Sequence, residues 1–265
     1  MGHRRHSTEE KREIATRGIV LRTEVGSGVT GTALVGTDDH DEMGICLEPP
    51  GYVTGLYEFE QYEYRTAWER EPGVDSPRSR AGDTDLVIYG ARKWARLAAK
   101  GNPTVLTPLF APPHAVYHDS VQGTELRQHP EWFWSKESGG RFLGYSRSQR
   151  KRMTGEEGGM HGRRWELIEA HGYDIKHAAH MVRLAWQGLE WMRTGRLTLP
   201  LPGAVREIIL EIRRGEWTLD QCIRHTEELE GKLTEILERG TIPERANYDA
   251  INDWLMWAYD LEWNS

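Results

Sequence analysis

Hydrophobic and polar positions follow two different periods along this chain. Up to about residue 125 the apolar runs are short and end in glycine, proline or acid. That pattern predicts strands at 18–25, 39–47, 57–64 and 83–89, with aromatic and polar residues alternating from Tyr57 to Tyr64. Helices are expected at 7–17, opened by the capping box Ser7-x-x-Glu10, and at 91–100, closed by Gly101-Asn102-Pro103. The segment 71–82, carrying Pro72, Gly73, Pro77 and Gly82, is expected as a mobile loop able to gate a site. From Arg141 onward the apolar residues recur at helical spacing, predicting helices at 141–153, 163–170, 174–194, 203–214, 219–239 and 248–262. The fold class is α+β, with a sheet domain at 1–125 followed by an α-helical domain at 126–265. The break between them is expected within 112–140, which is rich in proline, glycine and histidine.

Composition narrows this picture. At 265 residues the chain can bury a sizeable core, and 11 Trp and 10 Tyr supply an aromatic interior; Trp132, Trp134, Trp186, Trp191, Trp254, Trp257 and Trp263 are expected as packing residues. No run approaches the ~18 apolar residues of a membrane span, and the polar stretch 1–12 is unlike a secretory signal. Two cysteines far apart, Cys46 and Cys222, fit a reducing cytoplasm and exclude a cysteine zinc site. His114-x-x-x-His118 has the spacing of a helical zinc pair, but Pro112-Pro113 before it predicts a loop. The net charge of −7 argues against broad nucleic-acid coating. Yet Arg141, Arg147, Arg150, Lys151, Arg152, Arg163 and Arg164 form a local basic cluster, which suits either an RNA backbone or a solvated helix face.

The candidate chemistry is concentrated between Gly26 and Gly44. Small residues at Gly26-Ser27 let backbone N–H groups and a hydroxyl approach phosphate oxygens. Asp39 and Asp41 alternate, so on an extended segment both carboxylates project from one face, where a hard divalent cation between them relieves the repulsion. A solvated acidic turn would carry the same residues. Gly26-x-Gly28-x-x-Gly31 also spells the dinucleotide fingerprint, but no helix fits after Gly31. Asp85, abutting an apolar strand, supplies a third carboxylate, with Asp83 as its competitor for that role. In the helical half, Lys176, His180 and Arg183 stand at i, i+4 and i+7, a column of donors suited to a triphosphate or, equally, a solvated basic face.

Gly26-Ser27, Asp39-x-Asp41 with Met43-Gly44, Asp85-Leu86-Val87-Ile88-Tyr89 with Arg92-Lys93, Gly101-Asn102-Pro103-Thr104, Phe142-Leu143-Gly144-Tyr145 and the run from Tyr173 to His180 occur in one ordered set. That set, continued by Ile212 to Glu216 and Ile242 to Arg245, resembles the nucleotidyltransferases of the DNA polymerase beta superfamily associated with bacterial RNA repair, which phages also carry. The resemblance spans about 17–259. It implies a small mixed sheet flanked by helices, a Gly26-Ser27 turn holding nucleotide phosphates, and Asp39, Asp41 and Asp85 as ligands of two Mg²⁺, with Mn²⁺ as a substitute. Lys93, Lys176 and His180 match basic positions of the family, and with Arg183 they are expected as nucleotide- or phosphate-binding residues. His40 departs from it, standing where an apolar residue is commoner.

The implied reaction transfers NMP from an NTP, ATP among the candidates, to an acceptor hydroxyl and releases pyrophosphate. Asp85 would have possible base duty toward that hydroxyl, and the acceptor would be a tRNA or broken RNA 3′ end contacted by Arg147, Arg150, Lys151 and Arg152. A protein or small-molecule acceptor, as in toxin or resistance enzymes, is the first rival, and a catalytically silent nucleotide- or RNA-binding module the second. No membrane partner is expected. The location is cytoplasmic, or the host cytoplasm for a phage protein.

Overall fold

The strand that carries Asp41, with Asp39 just ahead of it, lies at the centre of the sheet. In the computed structural model, which describes residues 3–34, 36, 38–74, 77–154 and 165–264, five strands form one sheet in the order β3-β4-β2-β1-β5. They are β1 (Ile19–Glu24), β2 (His40–Cys46), β3 (Gln61–Arg65), β4 (Thr84–Gly90) and β5 (Val116–Asp119). β2 and β4 run parallel, and the remaining pairs are antiparallel. Among the described residues there are thirteen α-helices. The first seven are α1 (Glu9–Arg17), α2 (Gly26–Thr30), α3 (Pro50–Val53), α4 (Thr66–Arg70), α5 (Ala91–Ala99), α6 (Pro103–Leu106) and α7 (Val121–Gln128). The others are α8 (Lys136–Thr154), α9 (Trp165–His171), α10 (Ile175–Thr194), α11 (Gly203–Arg213), α12 (Leu219–Arg239) and α13 (Tyr248–Trp263). This is a mixed sheet with helices and a helical C-terminal portion, the α+β class expected.

Contacts divide the chain into two units. One comprises Met1–Ala99, Thr104–Trp132 and Asn247–Ser265, the other Lys100–Pro103 and Phe133–Ala246. The last helix, grouped by sequence with the rest of 126–265, therefore counts with the sheet. Its attachment is visible at Glu48, a carboxylate just past β2 that is 3% exposed. Glu48 accepts the Ala91 N–H at the start of α5 (3.1 Å) and the Tyr259 hydroxyl of α13, while the Trp263 indole donates to its carbonyl (3.0 Å). Burial pushes the Glu48 carboxyl and the Tyr259 hydroxyl up.

On one face of the sheet α1 buries Ile14 and Ala15 against Cys46, Tyr62, Leu86 and Ile88. Its N-cap is Thr8, whose hydroxyl accepts from the Lys11 N–H (3.3 Å), and not Ser7. The strand expected at 57–64 is shorter because the aromatic alternation slips phase between Phe59 and Tyr62, and pairing with β4 begins only at Gln61 opposite Tyr89. β5 escaped the pattern because its residues are half-buried or exposed. In the second unit α10 packs against α8 and α12, with Phe142, Met181, Leu184, Trp191 and Leu233 buried. Gly188 allows the close approach, since a Cβ there would lie 2.7 Å from the Phe142 Cβ. Trp191 and Trp254 are buried as expected, but Trp257 is 40% exposed. No helix among the described residues is long and apolar enough to cross a membrane.

Tyr259→Phe should lower stability by roughly 1–3 kcal/mol, because the buried Glu48 oxygen loses a donor. Tyr57→Phe, at a 69% exposed position, should change it by less than about 0.5 kcal/mol. Urea denaturation followed by tryptophan fluorescence checks both.

Candidate functional site

The parallel pairing of β2 with β4 builds the site. Its register sets Asp41 beside Asp85, and because strand side chains alternate, both carboxylates share the face opposite α1. Asp39 lies two residues before Asp41, just ahead of the strand. The three residues can each offer a carboxylate oxygen such that all three atoms lie within 4.8 Å of one another, each half-buried. Asp83 takes no part in this trio. It is 5% exposed and bound by both oxygens to Arg70 Nη1 (2.8 Å each) and by Oδ2 to the Arg80 N–H (2.7 Å). These donors hold its carboxyl below the usual range.

The glycine-rich segment sits against the acids. Its first residues form the single helical turn α2, closed by Gly31 in the left-handed conformation, so the dinucleotide geometry does not arise. The Val25 N–H donates to the Asp41 carbonyl (2.9 Å), bringing Gly26 alongside. Gly26 has φ +72°, and a Cβ there would stand 2.2 Å from Asp41 Oδ2, so only glycine fits. Ser27 follows, half-buried.

Two residues that sequence reasoning missed complete the acid face. Arg65, at the end of β3, pairs in register with Asp85 and donates to its Oδ2 from Nε (3.0 Å) and Nη2 (2.8 Å). Ser79 donates to Asp85 Oδ2 (2.9 Å) and accepts from Arg65 Nη2 (2.7 Å). A cation closing an alternating strand next to an acidic strand start was the available signal for Arg65. Ser79 lay in a stretch without periodicity and gave none.

Several predicted residues are placed elsewhere. Lys93 follows β4 at the end remote from Asp85. It donates to Glu60 (3.0 Å) and Gln61 (2.6 Å) and lies 5.7 Å over the Tyr89 ring, so the structure does not bring it to the acids. At ~3.3 Å per strand residue, Tyr89 is already more than ~10 Å from Asp85. His40 points to the opposite face, beside Glu42 (3.2 Å), Glu24 (3.7 Å) and the Tyr117 ring. Lys176, His180 and Arg183 share one half-buried face of α10 in the second unit, whose N-cap Asp174 accepts from the Lys176 and His177 N–H groups. On α8, Arg147 pairs with Glu230 (3.6 Å) and Arg150 with Glu227 (2.9 Å) and Glu230 (3.6 Å), whereas Lys151 and Arg152 are exposed. Arg163 and Arg164 lie outside the described residues. His114 falls in a short 3₁₀ turn and His118 in β5, not on a common helix.

Burial and like-charge crowding together set the electrostatics. Burial first, then the charges of Asp39, Asp85 and Asp38, push the Asp41 carboxyl up to about 7, with Arg65 opposing weakly. Three crowded carboxylates fit a hard divalent cation, which would be held by Asp39, Asp41 and Asp85.

Without metal the folded protein binds the Asp41 proton more tightly than the unfolded chain does. The stability this contributes is present at low pH and is lost as pH rises from about 4 through about 7. Asp41→Asn cannot lose it, so in EDTA the variant should gain on the wild type as pH rises across that window. Urea midpoints at pH 5, 6, 7 and 8 read the difference, and a constant offset would show the carboxyl to be unperturbed.

No curated protein matches the chain. Among solved structures, the nucleotidyltransferase-like protein from Exiguobacterium sibiricum 255-15 is similar at 10% identity, over 96% of this chain and 75% of that one. The TM-score is 0.30. A family model, by contrast, matches residues 4–257, nearly the whole chain and both of its units. On that match the chain belongs to RlaP, the RNA repair pathway DNA polymerase beta family, a nucleotidyltransferase family of the polymerase beta type.

Proposed function

We propose that this chain is a metal-dependent nucleotidyltransferase that moves NMP from an NTP to a hydroxyl at an RNA 3′ end, releasing pyrophosphate. The observation carrying it is the trio Asp39, Asp41 and Asp85, gathered within 4.8 Å beside the Gly26 turn. Bound divalent ions, Mg²⁺ or Mn²⁺, would supply charge neutralisation on the phosphates and activation of the acceptor oxygen.

The chain's own residues do the rest. Asp39 and Asp41 hold the cationic centre, and Asp85 completes it and stands as the candidate acceptor of the attacking hydroxyl's proton. Ser27 and the amides of the Gly26 turn meet the triphosphate. Lys176, His180 and Arg183 stay in the proposal as phosphate-binding residues, supported by the resemblance and by their shared helix face. Lys93 leaves it, because Glu60 and Gln61 hold it at the far end of β4. RNA as acceptor rests on the name of the family and on the exposed Lys151 and Arg152. Arg147 and Arg150 have their charge answered by Glu227 and Glu230 and contribute less.

The test incubates the purified chain and Mg²⁺ with each of four α-labelled NTPs, total RNA, cell protein and small-molecule extract in parallel. Label should enter RNA, and Asp41→Asn should reduce it at least about a hundredfold while melting no lower than the wild type. Label in protein or in a small molecule instead would replace the acceptor. Full turnover in Asp41→Asn would remove the mechanism.

A further inference from the structure

Among the three acids, Asp85 is the one whose charge is already met. Arg65 Nε and Nη2 and the Ser79 hydroxyl all donate to its Oδ2 (3.0, 2.8 and 2.9 Å), and Ser79 also reaches Oδ1 (3.1 Å). The Arg65 and Asp85 side chains are 23% and 22% exposed, which shields the pair from solvent screening. Among the described residues no cation pairs in this way with Asp39 or Asp41.

The clamp is built in two layers. Register places Arg65 opposite Asp85 at the last pair of the β3–β4 ladder, where the chain turns into α4. Behind it, Arg70 of α4 grips Asp83 and donates to the Arg78 carbonyl (3.0 Å), and the Arg80 N–H also closes on Asp83. Those bonds fix the strand-entry turn that bears Ser79. A guanidinium so held is a fixed positive charge beside the position where a divalent ion would gain its third oxygen ligand.

We propose that Arg65, backed by Ser79, is a resident counter-cation for Asp85. It holds the third acid in place when no divalent ion is bound, and it competes with such an ion for that carboxylate. Arg65 is thus a positioning residue, and the inference rests on the metal-dependent reading of the trio. Both effects follow from its charge and fork geometry. A unit charge within a few ångströms opposes a divalent ion strongly enough at a part-buried site to cost about tenfold or more in affinity. Two guanidinium donors converging on Oδ2, with the Ser79 hydroxyl reaching Oδ1, also restrain carboxylate rotation, which a lone charge does not.

Mn²⁺ binding to the full chain, followed by the electron paramagnetic resonance of free Mn²⁺ without nucleotide, tests the competition. Labelled NMP transfer at saturating metal tests the positioning. Arg65→Gln should bind Mn²⁺ about tenfold tighter yet transfer more slowly, a pairing that simple structural damage would not give because damage weakens both. Arg65→Lys keeps the charge and should stay within about threefold of wild-type affinity. In the Asp85→Asn background, Arg65→Gln should lose most of its tightening. Ser79→Ala, which leaves Arg65 in place, should tighten binding about twofold and serves if Arg65→Gln melts abnormally. Unchanged or weaker Mn²⁺ binding in a normally melting Arg65→Gln overturns the inference while leaving nucleotide transfer intact. Wild-type protein that binds Mn²⁺ with the expected Arg65 effect but transfers nothing overturns the transfer reading alone.

Discussion

Like charges crowded by a strand register are the constraint on which the rest of this structure depends. Asp41 and Asp85 are adjacent because β2 and β4 pair in parallel with those two residues opposite, and Asp39 is carried in by the segment leading to β2. Left in water the three carboxylates would separate; within the sheet they cannot. On top of burial, the crowding pushes the Asp41 carboxyl up to about 7. It also accounts for the neighbours: a glycine at 26, where any side chain would collide with Asp41, and an arginine and a serine closed on Asp85. A slip of one residue between β2 and β4 would send one aspartate to the α1 face and dissolve the site.

That register is protected at the other end of the same strand. Past β2 the chain buries Glu48, and two segments answer it: α5 through its first amide, and α13 through the Tyr259 hydroxyl on the carboxylate and the Trp263 indole on the carbonyl. A buried carboxylate is costly unless its donors are supplied, so these bonds join the end of β2, the helix after β4 and the last helix of the chain. The acids sit at the N-terminal ends of two strands whose C-terminal ends are thereby tied, which keeps their separation small without any residue bridging the acids themselves.

The second unit contributes helices whose charge is partly spent internally. Arg147 and Arg150 of α8 face Glu227 and Glu230 of α12, and Ser146 adds a hydrogen bond to the buried Glu230 (2.8 Å). Such pairs fix helix packing more than they attract phosphate, because each guanidinium has exchanged its availability for a carboxylate. The basic character of α8 is therefore smaller than its sequence suggests.

Local chemistry was enough to read the periodic elements. The strands at β1, β2 and β4 and the long helices α8 and α10 to α13 follow from apolar spacing and caps, and Asp39, Asp41 and Asp85 were visible as acids bordering apolar strands. The same local view placed the helix cap one residue early, ran β3 too long and missed β5, because a cap is settled by one hydrogen bond and a strand end by its partner. It put Lys93 with the phosphates because motif order says nothing of which end of a strand a residue reaches. Arg65 and Ser79 stayed hidden for the complementary reason: their meaning lies in a carboxylate 20 and 6 positions away along the chain. Spacing along a polymer determines faces and periods, whereas proximity between distant residues, and the charge felt there, is decided only when strands choose their neighbours and register.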